Sequence, residues 1–142
     1  MSGNLFLLDE TLQWLRLARA DLASAELLLT SHTVRNSLFH SQQAIEKALK
    51  AFLVWHQQPF PKTHNLAVLR EQCSRIDPEL AARLDPAVIL TRHAVAFRYP
   101  GEPELPNLEE AHSALAVARA SVQAVLEKLP SEIGARLEQT EA

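Results

Sequence analysis

The chain reads as an all-α protein, an up-and-down bundle of three long helices with shorter helices between the second and the last. Two observations carry that reading. Apolar residues make up 47% of the 142-residue chain while glycine occurs only 3 times, a balance that favours helix over sheet. Three long segments free of internal proline each carry an apolar stripe at helical spacing and end at cap or proline signals.

The first stripe runs from Thr11 to about Thr30, with Leu12, Leu15, Ala18, Leu22, Ala25 and Leu29 on one face. Asp9 is its expected N-cap, and residues 1–8 form an apolar lead-in that either packs on the bundle or frays. Ser31-His32-Thr33 interrupts the helix with residues that prefer caps, and Ser31 or Thr33 starts the next one. So short a loop makes the two helices antiparallel neighbours.

The second helix, Arg35–Gln58, organises the rest. Leu38, Ile45 and Phe52 recur seven apart with Leu49 between them, which is a buried face. Beside it runs a polar row, Gln43, Glu46 and Lys50, with Glu46 four residues before Lys50 in the favourable order for a helix pair. Pro59 and Pro61 end the helix, and Pro59 to Asn65 is a loop.

Thr63 is the expected cap of a short helix over about 65–76 with Leu66, Leu69 and Cys73 inward. Asp77-Pro78 caps a piece ending near Leu84, and Asp85-Pro86 starts another that stops at Tyr99-Pro100-Gly101. Asn107, followed three residues later by Glu110, opens the last long helix, whose inner face is Leu108, Ala111, Leu115, Ala118, Val122, Val125 and Leu129. Pro130 closes it. The remaining 131–142 are charged and are expected to fray or dock loosely, so the bundle occupies 9–130.

A net charge of -3 is not that of a generally basic nucleic-acid binder, though a local basic patch still suffices to hold a phosphate backbone. A single cysteine forms no internal disulfide, and Cys73 reads as a small core residue of a cytoplasmic protein. No stretch reaches the apolar length of a membrane span, and no basic leader is present at the start of the sequence.

Three constellations offer chemistry. The polar row Gln43, Glu46, Lys47 and Lys50, read with Lys62, Thr63 and His64, is either a solvated helix face followed by a cap or, if Arg98 joins it, a phosphate site. Arginine would supply a bidentate fork and lysine a point charge. Arg98-Tyr99 is either a helix stop or a pair that stacks on a base and holds its phosphate. Arg35 with His40 is the combination that cleaves RNA without metal, histidine moving protons and arginine stabilising charge on phosphate. Residues five apart lie about 140° apart on a helix, so the pair shares a face only at a frayed first turn. His32, His56, His93 and His112 show no metal-ligand spacing and read as interface or surface residues. No metal or cofactor is expected.

Asp21-Leu22 with Ala25, the run Phe39-His40-Ser41-Gln42-Gln43-Ala44-Ile45-Glu46-Lys47-Ala48-Leu49-Lys50-Ala51, then Lys62-Thr63-His64-Asn65-Leu66 and Arg98-Tyr99-Pro100-Gly101, together resemble the HEPN domain over about residues 10–130. The resemblance implies a helical bundle that dimerises, often encoded beside a minimal nucleotidyltransferase in a toxin–antitoxin-like system, and many such proteins are metal-independent ribonucleases with an Arg and a His separated by four to six residues in a late helix. This chain departs from that pattern. Arg92 and Arg98 have no such histidine after them, and the only such pair is Arg35/His40. The leading expectation is therefore a nucleotide- or RNA-phosphate-binding partner of a nucleotidyltransferase using Glu46, Lys50, Lys62, His64, Arg98 and Tyr99. The alternatives are a ribonuclease toxin using Arg35 and His40 across a dimer cleft, and a non-catalytic interaction module.

Overall fold

The computed structural model describes residues 2–96 and 106–140, and every regular element among them is helical. The order is α1 (Ser2–Thr30), α2 (Val34–Trp55), α3 (Leu66–Ser74), α4 (Pro78–Arg83), α5 (Asp85–Ala96), α6 (Leu108–Glu127) and α7 (Ser131–Thr140). The three long helices are α1, α2 and α6, as the stripes predict.

Cross-helix bonds fix the direction of the first pair. Ser37 donates its hydroxyl to the Ala25 carbonyl at 2.8 Å near the connecting turn. Farther along, Asp21 meets His40 and Lys47, and at the far end the Lys50 ammonium lies over the Trp14 ring. Falling numbers on α1 match rising numbers on α2, so the helices are antiparallel. Fully buried Ala18, Ala25, Ser37, Ala44 and Ala48 keep side chains small where the two helices pack. The main core joins Leu12 and Leu15 of α1, Ile45, Leu49 and Phe52 of α2, Leu66 and Leu69 of α3, Leu80 of α4 and Val125 of α6. A smaller cluster of Ala25, Leu29, Leu38, Ala111, Ala114 and Leu115 closes the turn end.

Both ends of α2 are reached through left-handed residues that are not glycine. His32 (φ 58°) and Gln57 (φ 56°) each sit one residue past a helix C-cap. Around Gln57 the paired bonds of a Schellman ending are present: Gln57 N–H donates to Val54 O and Gln58 N–H to Leu53 O, both at 2.9 Å. His32 and Thr33 donate to Leu29 O and Leu28 O in the same way. With so few glycines in the sequence, this stop signal was not visible.

Five local expectations are corrected. Asp9 is not a cap but lies inside α1, its carboxylate accepting from Gln13 at 2.9 Å, because Leu8 packs on the core and carries the helix back to Ser2. Thr63 is not the cap of α3. Asn65 is, accepting from Ala67 N–H at 3.0 Å, while the Thr63 hydroxyl accepts from Asn65 N–H. Helix α2 ends at Trp55 rather than Gln58. The charged tail forms α7, because Ile133 and Leu137, four residues apart, both bury in the main core. Of the other caps, Asp77 accepts from Leu80 N–H at 3.0 Å and Asn107 from Glu110 N–H at 2.8 Å, as read, and Thr33 precedes α2 without a side-chain cap bond, whereas Asp85 is the first residue of α5 rather than its cap, its carboxylate 2.7 Å from Arg70.

Candidate functional site

The polar row of α2 is not a solvated face. Glu46 and Lys50 are buried, and Gln43 and Lys47 are half-buried, because α1 packs alongside them and the Pro59–Asn65 loop folds back over them. Two carboxylates organise what is there.

Asp21, on α1 and only 7% exposed, receives His40 and Lys47 from α2. His40 Nδ1 lies 2.7 Å from Oδ1, and Lys47 Nζ lies 2.5 Å from Oδ2. His40 and Lys47 are seven residues apart, so both project from one face of α2 toward the same carboxylate. An ionised carboxylate only accepts, so Nδ1 carries the proton and Nε2 is left to act outward. A carboxylate holding Nδ1–H is the arrangement that orients an imidazole base.

Glu46 repeats the pattern one layer along. Its Oε2 accepts from Lys50 at 3.1 Å, within one helix turn, and its Oε1 faces His64 Nδ1 at 2.9 Å. The Lys50 ammonium lies 5.4 Å from the Trp14 ring centroid and 5.8 Å from that of Phe60, and the two rings meet edge to face. Phe60 is held there because the Pro59 carbonyl accepts from Gln72 of α3 at 2.8 Å. The same loop then reaches the Asn65 cap, which sets His64 just before α3.

The predicted site residues therefore divide. Glu46, Lys50 and His64 come together as one group. Lys62 is exposed, two residues before His64 in the chain, and His40 belongs to the neighbouring group. Arg35 is exposed on the first turn of α2, and no hydrogen bond or ion pair joins it to His40. Arg98 and Tyr99 lie outside the described residues. Residue-by-residue reading missed Asp21, Trp14 and Phe60 as parts of the site. The signal for the first was an acid beside the apolar stripe of the first helix, singled out only by the family resemblance.

Each group thus matches one carboxylate with one lysine, leaving an imidazole Nε2 facing away from the acid. Such a surface offers donors to a phosphate or a base to a hydroxyl. Among the described residues no group of three or more His, Cys, Asp or Glu is placed to hold a metal ion, and no helix is long and apolar enough to cross a membrane.

Comparison with known proteins agrees with this architecture. The HEPN domain family model matches residues 11–129. Among solved structures, TT1696 from Thermus thermophilus is similar, with 27% identity and a TM-score of 0.68 over 84% of this chain and 98% of that one. No curated protein matches. The family match takes in the apolar stripes, both carboxylate groups and the last long helix, and on that footing the chain belongs to the HEPN domain family.

Proposed function

We propose that this HEPN protein binds the phosphate of a nucleotide or RNA on the face where α1, α2 and the loop before α3 meet. It then acts as the homodimeric, cytoplasmic partner of a minimal nucleotidyltransferase in a toxin–antitoxin-like pair. The observation that carries the binding is Glu46, which holds the Lys50 ammonium and the His64 ring at once. Asp21 offsets Lys47 and Glu46 offsets Lys50, so attraction for an anion falls to Lys62 and to whichever of His40 and His64 is protonated. Lys50, caged by two rings, holds Glu46 in place, and the outward contacts are His64 and Lys62. Arg98 and Tyr99, in the Arg-Tyr-Pro-Gly segment, are proposed as further contacts. The nucleotidyltransferase partner rests on family membership.

The test is fluorescence anisotropy with a labelled RNA oligomer and with a labelled nucleotide at low salt. His64→Ala, Lys62→Ala and Arg98→Ala are each expected to weaken binding by about tenfold, the size of one charged hydrogen bond. Unchanged affinity in all three would sink the reading. Co-purification with a nucleotidyltransferase expressed from a neighbouring gene tests the partnership.

One distance favours a second reading. Asp21 Oδ1 at 2.7 Å from His40 Nδ1 orients that ring as a general base, which suits a metal-independent endoribonuclease with Arg35 of the other subunit stabilising the phosphate. Cleavage of RNA in the presence of a chelator, lost in His40→Ala, would establish it. Intact RNA with both proteins would reject it.

A further inference from the structure

On a different face of α1 lies a cavity. Glu26 is five residues beyond Asp21, about 140° around the helix, and lines a cleft of about 350 Å³ between the end of α1 and the first half of α6. Its floor is apolar: Leu29 and Leu115 are buried, and Leu108 is half-buried. Beside Glu26, its rim carries one arginine and two imidazoles. His32 comes from the turn after α1, and His112 and Arg119 come from α6, seven residues apart on one face.

The geometry points to a binding site here for a small organic oxyanion, a phosphate or carboxylate head carried on an apolar body. A metal is the wrong occupant, since no three His, Cys, Asp or Glu among the described residues stand within reach of one ion. The leucine floor gives the body of such a ligand a place to bury. Among the described residues Arg119 is held by one edge: its Nη2 lies 2.9 Å from Glu26 Oε2 in a solvent-exposed pair, which leaves other guanidinium donors for the head group. His32 occupies a left-handed position (φ 58°) where glycine is the usual choice, and that backbone carries its ring at the edge of the cleft. The α6 dipole is already complemented by Glu109 and Glu110 in its first turn, so recognition rests on the side chains.

The test follows the imidazole NMR resonances of the full chain during titration with adenosine monophosphate, benzoate and inorganic phosphate. Saturable shifts at His32 and His112 are expected with one of the two organic anions, which decides between a phosphate and a carboxylate head. Inorganic phosphate should bind more weakly for want of an apolar body. His32→Gly suits the left-handed backbone, and His112→Ala improves helix propensity, so both variants keep the fold. Each is expected to weaken binding about tenfold, while Glu26→Gln, which removes only the negative charge, should tighten it. Undisturbed His32 and His112 resonances with all three anions would overturn the assignment, as would equal affinity in the His32→Gly/His112→Ala double variant. Shifts confined to His40 and His64 would also overturn it, and would place the anion at the other site.

Discussion

His64 is 78% exposed and Glu46 is 3% exposed, yet Nδ1 of the first lies 2.9 Å from Oε1 of the second. One buried carboxylate thus faces two ways, inward to Lys50 and outward to a ring that solvent reaches. The two partners of Glu46 have different energetic weight. Lys50, with only 10% of its side chain exposed, depends on the carboxylate, whereas His64 is free to be solvated without it.

Glu46→Ala is therefore expected to cost about 3–5 kcal/mol, because it leaves the Lys50 ammonium buried without a counter-charge. His64→Ala is expected to cost less than about 1 kcal/mol, as an exposed pair does. Urea unfolding followed by circular dichroism reads both. Replacing the pair together, Glu46→Leu with Lys50→Met, should recover most of the loss, since neither charge then needs the other. A Glu46→Ala protein as stable as the wild type would show that Lys50 finds water or another partner.

How much of this was legible beforehand differs by element. The apolar stripes of α1, α2 and α6 located the long helices because burial on one face leaves a period in the sequence, and Leu12, Leu15, Ala18, Ala25 and Leu29 are buried as that period requires. Asp77 and Asn107 were readable because a cap is a local hydrogen bond. Helix α7 was not, since its two core residues, Ile133 and Leu137, stand among charges and are buried only through tertiary contact. The site was half legible. Glu46 and Lys50 are joined within one turn of α2, but the second partner of Glu46 comes from a loop 18 residues away and Asp21 from another helix. Sequence spacing does not encode those meetings.

Gln57 holds the left-handed position that ends α2, with φ 56°. A side chain there costs roughly 1–2 kcal/mol against glycine in the folded state, offset by the roughly 0.5–1 kcal/mol of chain entropy that glycine loses on folding. Gln57→Gly is thus expected to stabilise the protein by up to about 1.5 kcal/mol, and Gln57→Val to destabilise it, because a β-branched residue tolerates positive φ least. Thermal unfolding of the two variants beside the wild type gives the signs directly. Equal melting temperatures would mean that the backbone at this turn relaxes.

Asp77 titrates below the ordinary carboxylate range, chiefly because Leu80 N–H donates to it, with Lys128 adding a further hydrogen bond and its charge. Folding then favours the ionised form. Its contribution is present above the unfolded carboxyl value of about 3.9 and is lost as pH falls through the lower folded value. Asp77→Asn keeps a capping oxygen but cannot ionise, so it should preserve stability near neutrality better than Asp77→Ala, which loses about 1 kcal/mol of cap. Below about pH 4 the wild type should converge toward the Asn variant. Parallel stability curves for the two across the acid range would show that the charge contributes nothing.

Cys73 is fully buried in the main core against Leu66 and Leu69 of its own helix face, and burial pushes its thiol up to about 12. The reactive species is the thiolate, so at neutral pH both access and ionisation oppose modification. A disulfide reagent is therefore expected to label the native protein only as fast as α3 and its neighbours open. The labelling rate should rise with urea in step with unfolding, not with the free-thiol rate. Cys73→Ala should cost about 1 kcal/mol for the vacated volume and leave the rest of the fold intact. Immediate stoichiometric labelling in native buffer would place the thiol at a surface instead, and would require α3 to pack on α2 differently.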